Sequence, residues 1–129
     1  VAMTGASGTS TITDAQRLRI KESDRLATVC DFLTILGTNI RQTKDGLIID
    51  ENNDSTDPSG PAAHCPAPSL CGGTVSSHND HRIAMAAAVA SCRADGPVII
   101  TGAEAVKKSY PDFFTDFTKL GGKIEILED

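Results

Sequence analysis

The stretch from Ile83 to Ala94 limits this chain most, because Ala and other apolar residues fill it almost without a break. Such a run predicts a helix, and a helix that is apolar around most of its circumference must be covered by other elements. Asn79 or Asp80 stands where its N-cap belongs, and Asp95-Gly96 where it should end. The covering elements can be read on either side. Thr9 to Thr13 is β-branched and predicts a strand. Leu26, Val29, Cys30, Leu33 and Leu36 recur at helical spacing, with Ser23 or Asp24 as the N-cap and Gly37 as the stop. Thr38 to Gln42 and Leu47 to Asp50 predict two short strands around Lys44-Asp45-Gly46, where Asp-Gly signals a hairpin. After an irregular segment from Glu51 to Gly73, Thr74 to Ser77 restores order and Val98 to Thr101 predicts a buried strand. Pro111 to Leu120 then predicts an amphipathic helix with Phe113, Phe114, Phe117 and Leu120 inward, and Lys123 to Leu127 a closing strand. The fold class is α/β, with residues 1–129 as one incomplete domain carrying a long irregular loop at 51–73.

Composition removes whole classes of function. The 129 residues are 40% hydrophobic and 22% charged, as expected of one globular domain. Twelve basic against 17 acidic residues leave a net charge of -5, which argues against binding a nucleic-acid backbone. With no apolar run of about 18 residues and no signal-peptide pattern, neither a membrane span nor secretion is supported, and the cytoplasm is the expected address. Cys30 and Cys92 lie in apolar helical patterns and read as free, buried thiols, and nothing suggests disulfides. His64, Cys65, Cys71 and His78 match none of the usual zinc-ligand spacings, so no metal is expected. The abrupt start at Val1 suggests a chain cut from something longer.

Two patterns cut across this order. Leu36-Gly37-Thr38-Asn39-Ile40 and Leu120-Gly121-Gly122-Lys123-Ile124 lie 84 residues apart, each after a Phe-containing helix and before a strand, as in a duplicated unit. Three polar clusters also sit where elements begin: Lys21, Glu22, Asp24 and Arg25; Asn79, Asp80, His81 and Arg82; Lys107, Lys108 and Ser109. A helix N-terminus offers unpaired N–H groups and partial positive charge. A basic side chain there is unwelcome until an anion arrives, so Arg25 and Arg82 read as ligand residues rather than stabilisers. Singly, each cluster would be a solvated helix start. Three in an acidic chain point to one anionic substrate.

Lys21-Glu22-Ser23-Asp24-Arg25-Leu26, Asn79-Asp80-His81-Arg82-Ile83-Ala84-Met85 and Lys108-Ser109-Tyr110-Pro111-Asp112-Phe113-Phe114 resemble three signature stretches of the 5-enolpyruvylshikimate-3-phosphate synthases, in that family's order. The resemblance implies repeated βαβαββ units of the enolpyruvyl transferase fold. It also implies a shikimate-pathway transferase that moves the enolpyruvyl group of phosphoenolpyruvate to the 5-hydroxyl of shikimate 3-phosphate, with neither metal nor organic cofactor. By the same resemblance Glu22 works in proton transfer near the methylene carbon. Arg25 and Arg82 grip phosphoenolpyruvate, and Lys108 closes on it. Lys21 reaches the shikimate phosphate and shares proton transfer, while His81 supports the anion site. The family's chain is several times longer and has two domains, so the N-terminal domain is an expected partner. The catalytic aspartate and the residues holding most of shikimate 3-phosphate would lie before Val1, leaving this piece inactive alone. Two other readings stand beside it: a non-catalytic structural or anion-binding fragment, and the relative that acts on UDP-N-acetylglucosamine.

Overall fold

The computed structural model describes residues 1–50 and 69–127, so most of the segment expected as a loop at 51–73 lies outside the described residues. The first half is built from β1 (Ser10–Ile12), α1 (Arg25–Ile35), β2 (Ile40–Gln42) and β3 (Leu47–Ile49). Both β1 and β2 pair antiparallel with β3, giving the order β1-β3-β2. The hairpin expected at Asp45-Gly46 is present, closed by the Thr43 N–H donating to the Gly46 carbonyl at 2.9 Å. The second half holds β4 (Gly73–Ser76), α2 (His81–Ser91), β5 (Val98–Thr101) and α3 (Phe113–Lys119), with β4 and β5 parallel. Parallel neighbours need a crossover, and α2 supplies it. Short 3-10 turns at Gln16–Ile20 and Ala103–Lys108 lead towards α1 and α3.

One core joins the two halves. Leu26, Phe32, Leu33 and Leu36 of the α1 region pack with Ile40, Leu47 and Ile49 of the first sheet, Leu70, Val75 of β4, and Ile83, Ala87 and Ala90 of α2. The Ala-rich helix is thus covered as its composition requires, although Val89 stays exposed. It ends at Ser91, before Asp95-Gly96, because Ala94 leaves the helix to bridge Leu70. That bridge buries Leu70 and Cys71, so the end of the expected exposed loop is packed. Cys71 is disulfide-bonded. This corrects the expectation that the chain carries no disulfide; Cys30 and Cys92 are free as expected, but Cys92 is exposed rather than buried.

Three further expectations fail near the end of the chain. The strand β5 is only half-buried, because its sheet has two strands and one of its edges is open. Phe113 packs edge-on against Phe114 and Tyr110, yet no residue of α3 is buried and Leu120 is 90% exposed rather than inward. Lys123 to Leu127 forms no strand, since the described residues give it no neighbour to pair with. The repeat nevertheless survives in the helix ends. Gly37 and Gly121 are both left-handed, at φ +83° and +99°. In each, the Gly N–H bonds three residues back and the next N–H five residues back, to Thr34 and Leu33 in one and Thr118 and Phe117 in the other. These are paired Schellman caps.

The junction at Gly102 links the sheet to the 3-10 turn carrying Lys107 and Lys108. Its φ is +70°, a Cβ there would stand 2.6 Å from Ser77 Oγ, and that hydroxyl donates to the Gly102 carbonyl at 2.8 Å. Gly8 has φ +75° with nothing within 4 Å of such a Cβ. Gly102→Ala is therefore expected to cost about 2–3 kcal/mol and Gly8→Ala about 1 kcal/mol, strain plus clash against strain alone. Urea unfolding of both variants checks the difference.

Candidate anion site at the helix N-termini

The site is organised by a carboxylate. Asp80 is fully buried at the N-cap of α2, where its Oδ1 accepts from the Arg82 N–H at 3.0 Å. The same oxygen accepts from Arg25 Nη2 at 3.2 Å, while Oδ2 accepts from Arg25 Nε at 2.7 Å and from Ser23 Oγ at 2.8 Å. Two helix starts, 55 residues apart in sequence, are thereby tied through one side chain. Burial acts to raise the Asp80 pKa, but the hydrogen bonds from Arg25, Ser23 and the Arg82 N–H, with the charge of Arg25, hold it below the ordinary carboxylate value.

The start of α1 is built in the same way. Asp24 caps it, Oδ1 accepting from the N–H groups of Leu26 and Ala27 at 3.1 Å each. Its Oδ2 accepts from Arg19 Nη1 at 2.9 Å. Arg19 also donates to the Thr43 and Lys44 carbonyls and to Gln42 Oε1, fastening the β2–β3 turn to the start of α1. Ahead of α2, Asp80 N–H donates to the Ser77 carbonyl at 2.9 Å across His78 and Asn79, at φ +49° and +58°. Both central residues thus have the sign of a type I′ turn, a region Asn and His tolerate better than most residues. The third cluster reaches this turn through Lys108 Nζ, which donates to the Asn79 carbonyl at 2.7 Å.

Of the residues expected at the site, the structure brings Glu22, Arg25 and Lys108 to the ends of these two helices. Glu22 accepts from Arg25 Nη2 at 2.5 Å. A hydrogen bond from its own backbone N–H, then the charge of Arg25, lower the Glu22 pKa against the opposing effect of Asp80; His81 also favours the carboxylate. His81 lies at the first position of α2 with Nδ1 buried and unpaired among the described residues. Lys21 and Arg82 are exposed and make no ion pair among the described residues. Arg25 needs correction in one respect: it is a stabiliser as well, because burial required it to find a carboxylate. By sequence alone Asp80 reads only as a cap. The signal missed is that a buried N-cap acid beside two arginines can accept from more than the backbone. A separate groove of about 570 Å3, lined by Thr28, Phe32, Thr74, Ser76 and Thr101 among others, holds none of these charged residues.

The two helix N-termini of this α/β chain thus meet at a buried Asp–Arg junction, with Lys108 and His81 alongside. Residues 1–117 match the family model of EPSP synthase (3-phosphoshikimate 1-carboxyvinyltransferase), and the chain belongs to that family. It is 47% identical over 118 residues to the 3-phosphoshikimate 1-carboxyvinyltransferase of Clostridium novyi, covering 92% of this chain and 24% of that protein. The Methanocella arvoryzae protein of the same name is 41% identical over 121 residues, 94% of this chain and 25% of its own length. An EPSP synthase structure from Acinetobacter baumannii superposes with a TM-score of 0.82 at 38% identity, covering 98% of this chain and 27% of that one. The chain thus spans about a quarter of the length of the relatives it matches.

The junction sets an acid limit on stability. Because the Asp80 pKa is lowered on folding, its contribution is complete above the unfolded value of about 3.9 and is lost as pH falls through the folded value. Asp80→Ala should cost about 3–5 kcal/mol by stranding Arg25, while the double change Asp80→Leu with Arg25→Met should cost less. Urea midpoints from pH 2 to 7 check both, and the Asp80 variants should show a flatter acid limb than the parent.

Proposed function

We propose that this chain supplies the phosphoenolpyruvate-binding portion of an enzyme that transfers the enolpyruvyl group to the 5-hydroxyl of shikimate 3-phosphate and releases phosphate. What carries the reading is the junction at Asp80, which brings the Glu22–Arg25 segment and the His81–Arg82 segment to adjoining helix starts in a chain of that family. In the addition step the acceptor hydroxyl gives up its proton to a base as its oxygen bonds to the substituted vinyl carbon, and the methylene carbon gains a proton from an acid. In the elimination step the methyl group loses a proton and phosphate departs. Glu22, half-exposed beside Arg25, is the residue offered for proton transfer, with Lys21 sharing it towards the second substrate. Arg25, Arg82 and Lys108 are offered to the carboxylate and phosphate of phosphoenolpyruvate, where oriented cations stabilise developing charge. His81 is given a supporting place beside them.

With this reading goes the proposal that residues 1–129 form part of a C-terminal domain, that an N-terminal domain completes the site, and that the enzyme works in the cytoplasm. Among the described residues no helix is long and apolar enough to cross a membrane. Catalysis of this kind needs every donor held within a fraction of an ångström, which part of a site does not achieve alone. The isolated chain is therefore expected to bind phosphoenolpyruvate weakly, at about millimolar Kd or worse, and to release no phosphate with both substrates present. Amide shifts of Arg25, Arg82 and Lys108 should respond together to phosphoenolpyruvate; no response at any of the three would overturn the assignment of this site. Turnover near that of a full-length family member would overturn the claim of incompleteness.

A further inference from the structure

Arg25 is held by two carboxylates that differ in one physical respect. Asp80 is wholly buried, caps α2 and accepts from Ser23 as well, so it cannot leave without uncapping α2 and stranding Arg25 and Ser23. Glu22 precedes the N-cap, its side chain is 48% exposed, and Arg25 is its one side-chain ion-pair partner among the described residues. Arg25 itself is 9% exposed, so an incoming anion meets a guanidinium already covered on the side of Nη2. A carboxylate or phosphate oxygen makes the same kind of bond to that nitrogen as Glu22 does.

Resting on the function proposed above, we infer that Glu22 is a built-in placeholder for the anionic ligand: its carboxylate occupies Arg25 in the free chain and is displaced when a phosphate or carboxylate group binds there. Asp80 stays in place and keeps the guanidinium oriented, so no rearrangement of α1 or α2 accompanies the exchange. Displacement changes the chemistry of Glu22. It loses the contact with Arg25 and gains a second negative neighbour besides Asp80, leaving its own backbone N–H and His81 as the influences that favour its charged form. Lys21 adjoins it in sequence, and the Lys108 ammonium lies on the Asn79 carbonyl at the start of α2. Glu22 is therefore driven towards protonation by the arrival of ligand, which couples anion binding to loading of the proton donor.

The test uses this chain and inorganic phosphate. Glu22→Gln removes the competing charge and should tighten phosphate binding about three- to ten-fold, read from amide shifts of Arg25 and Lys108. Asp31→Asn, an equal charge change at an exposed site further along α1, should alter affinity less than two-fold, about what long-range attraction provides. Equal effects of the two variants, or weaker binding by Glu22→Gln, overturn the placeholder while phosphate binding by the parent leaves the anion site standing. If neither parent nor variant binds, both readings fall. A second measurement needs no variant: the Glu22 carboxyl carbon, titrated by NMR, should show a higher pKa in saturating phosphate than in its absence, and an unchanged or lower value overturns the inference.

Discussion

The bond between Arg25 and Asp80 is the constraint on which the arrangement turns. A carboxylate wholly removed from water is costly unless its lone pairs are filled, and here four donor contacts reach it. Those donors come from the α1 region and from the backbone of α2, so satisfying Asp80 fixes where the two helices begin relative to each other. The hydrophobic core could place α1 and α2 in contact through Leu26 and Ile83, but apolar packing does not specify a rotation to a fraction of an ångström. The ion pair adds that specification at the capped N-terminal end of each helix. Positioning and charge are set by the same side chain.

Fastenings within the described residues are local or cross short spans of structure: Arg19 to the Gln42–Lys44 turn, Ser77 to Gly102, Lys108 to Asn79. Each sets the base of a charged side chain. None encloses the tips of Lys21 or Arg82, which remain in water, where electrostatic stabilisation is weak because solvent screens it.

What could be read from the residues divides along the same line between local and non-local causes. Caps, stops and the hairpin were legible because each depends on a few adjacent residues: Asp24 and Asp80 as N-caps, Gly37 as a left-handed stop, Asp45-Gly46 as a turn. The C-terminal end of α2 and the burial of Leu70 were not, since they depend on a bridge between Leu70 and Ala94 that no local pattern announces. Within the site, residue types and their gathering at helix starts were legible, whereas the sharing of Arg25 between Asp80 and Glu22 was not. Periodicity places a residue on a face; it does not say which of two nearby acids a guanidinium will choose. The disulfide of Cys71 is a related case, since neither spacing nor composition announces a bond made outside its own element.

The two Leu-Gly segments separate these causes within one molecule. Their caps match bond for bond, so the sequence signal for ending a helix acts equally in both places. After the first cap, Ile40 to Gln42 finds β3 and becomes a strand; after the second, Lys123 to Leu127 forms no strand with any of the described residues. Ile126 and Leu127 are then mostly exposed, as is Leu120, and Ile99 is partly exposed beside the open edge of its sheet. A β-rich composition is therefore a statement about what a segment can bury once a neighbour arrives, and not about its structure in isolation. The first half of the chain contains its neighbour and closes a sheet; the second half carries the same local instructions with their non-local condition unmet.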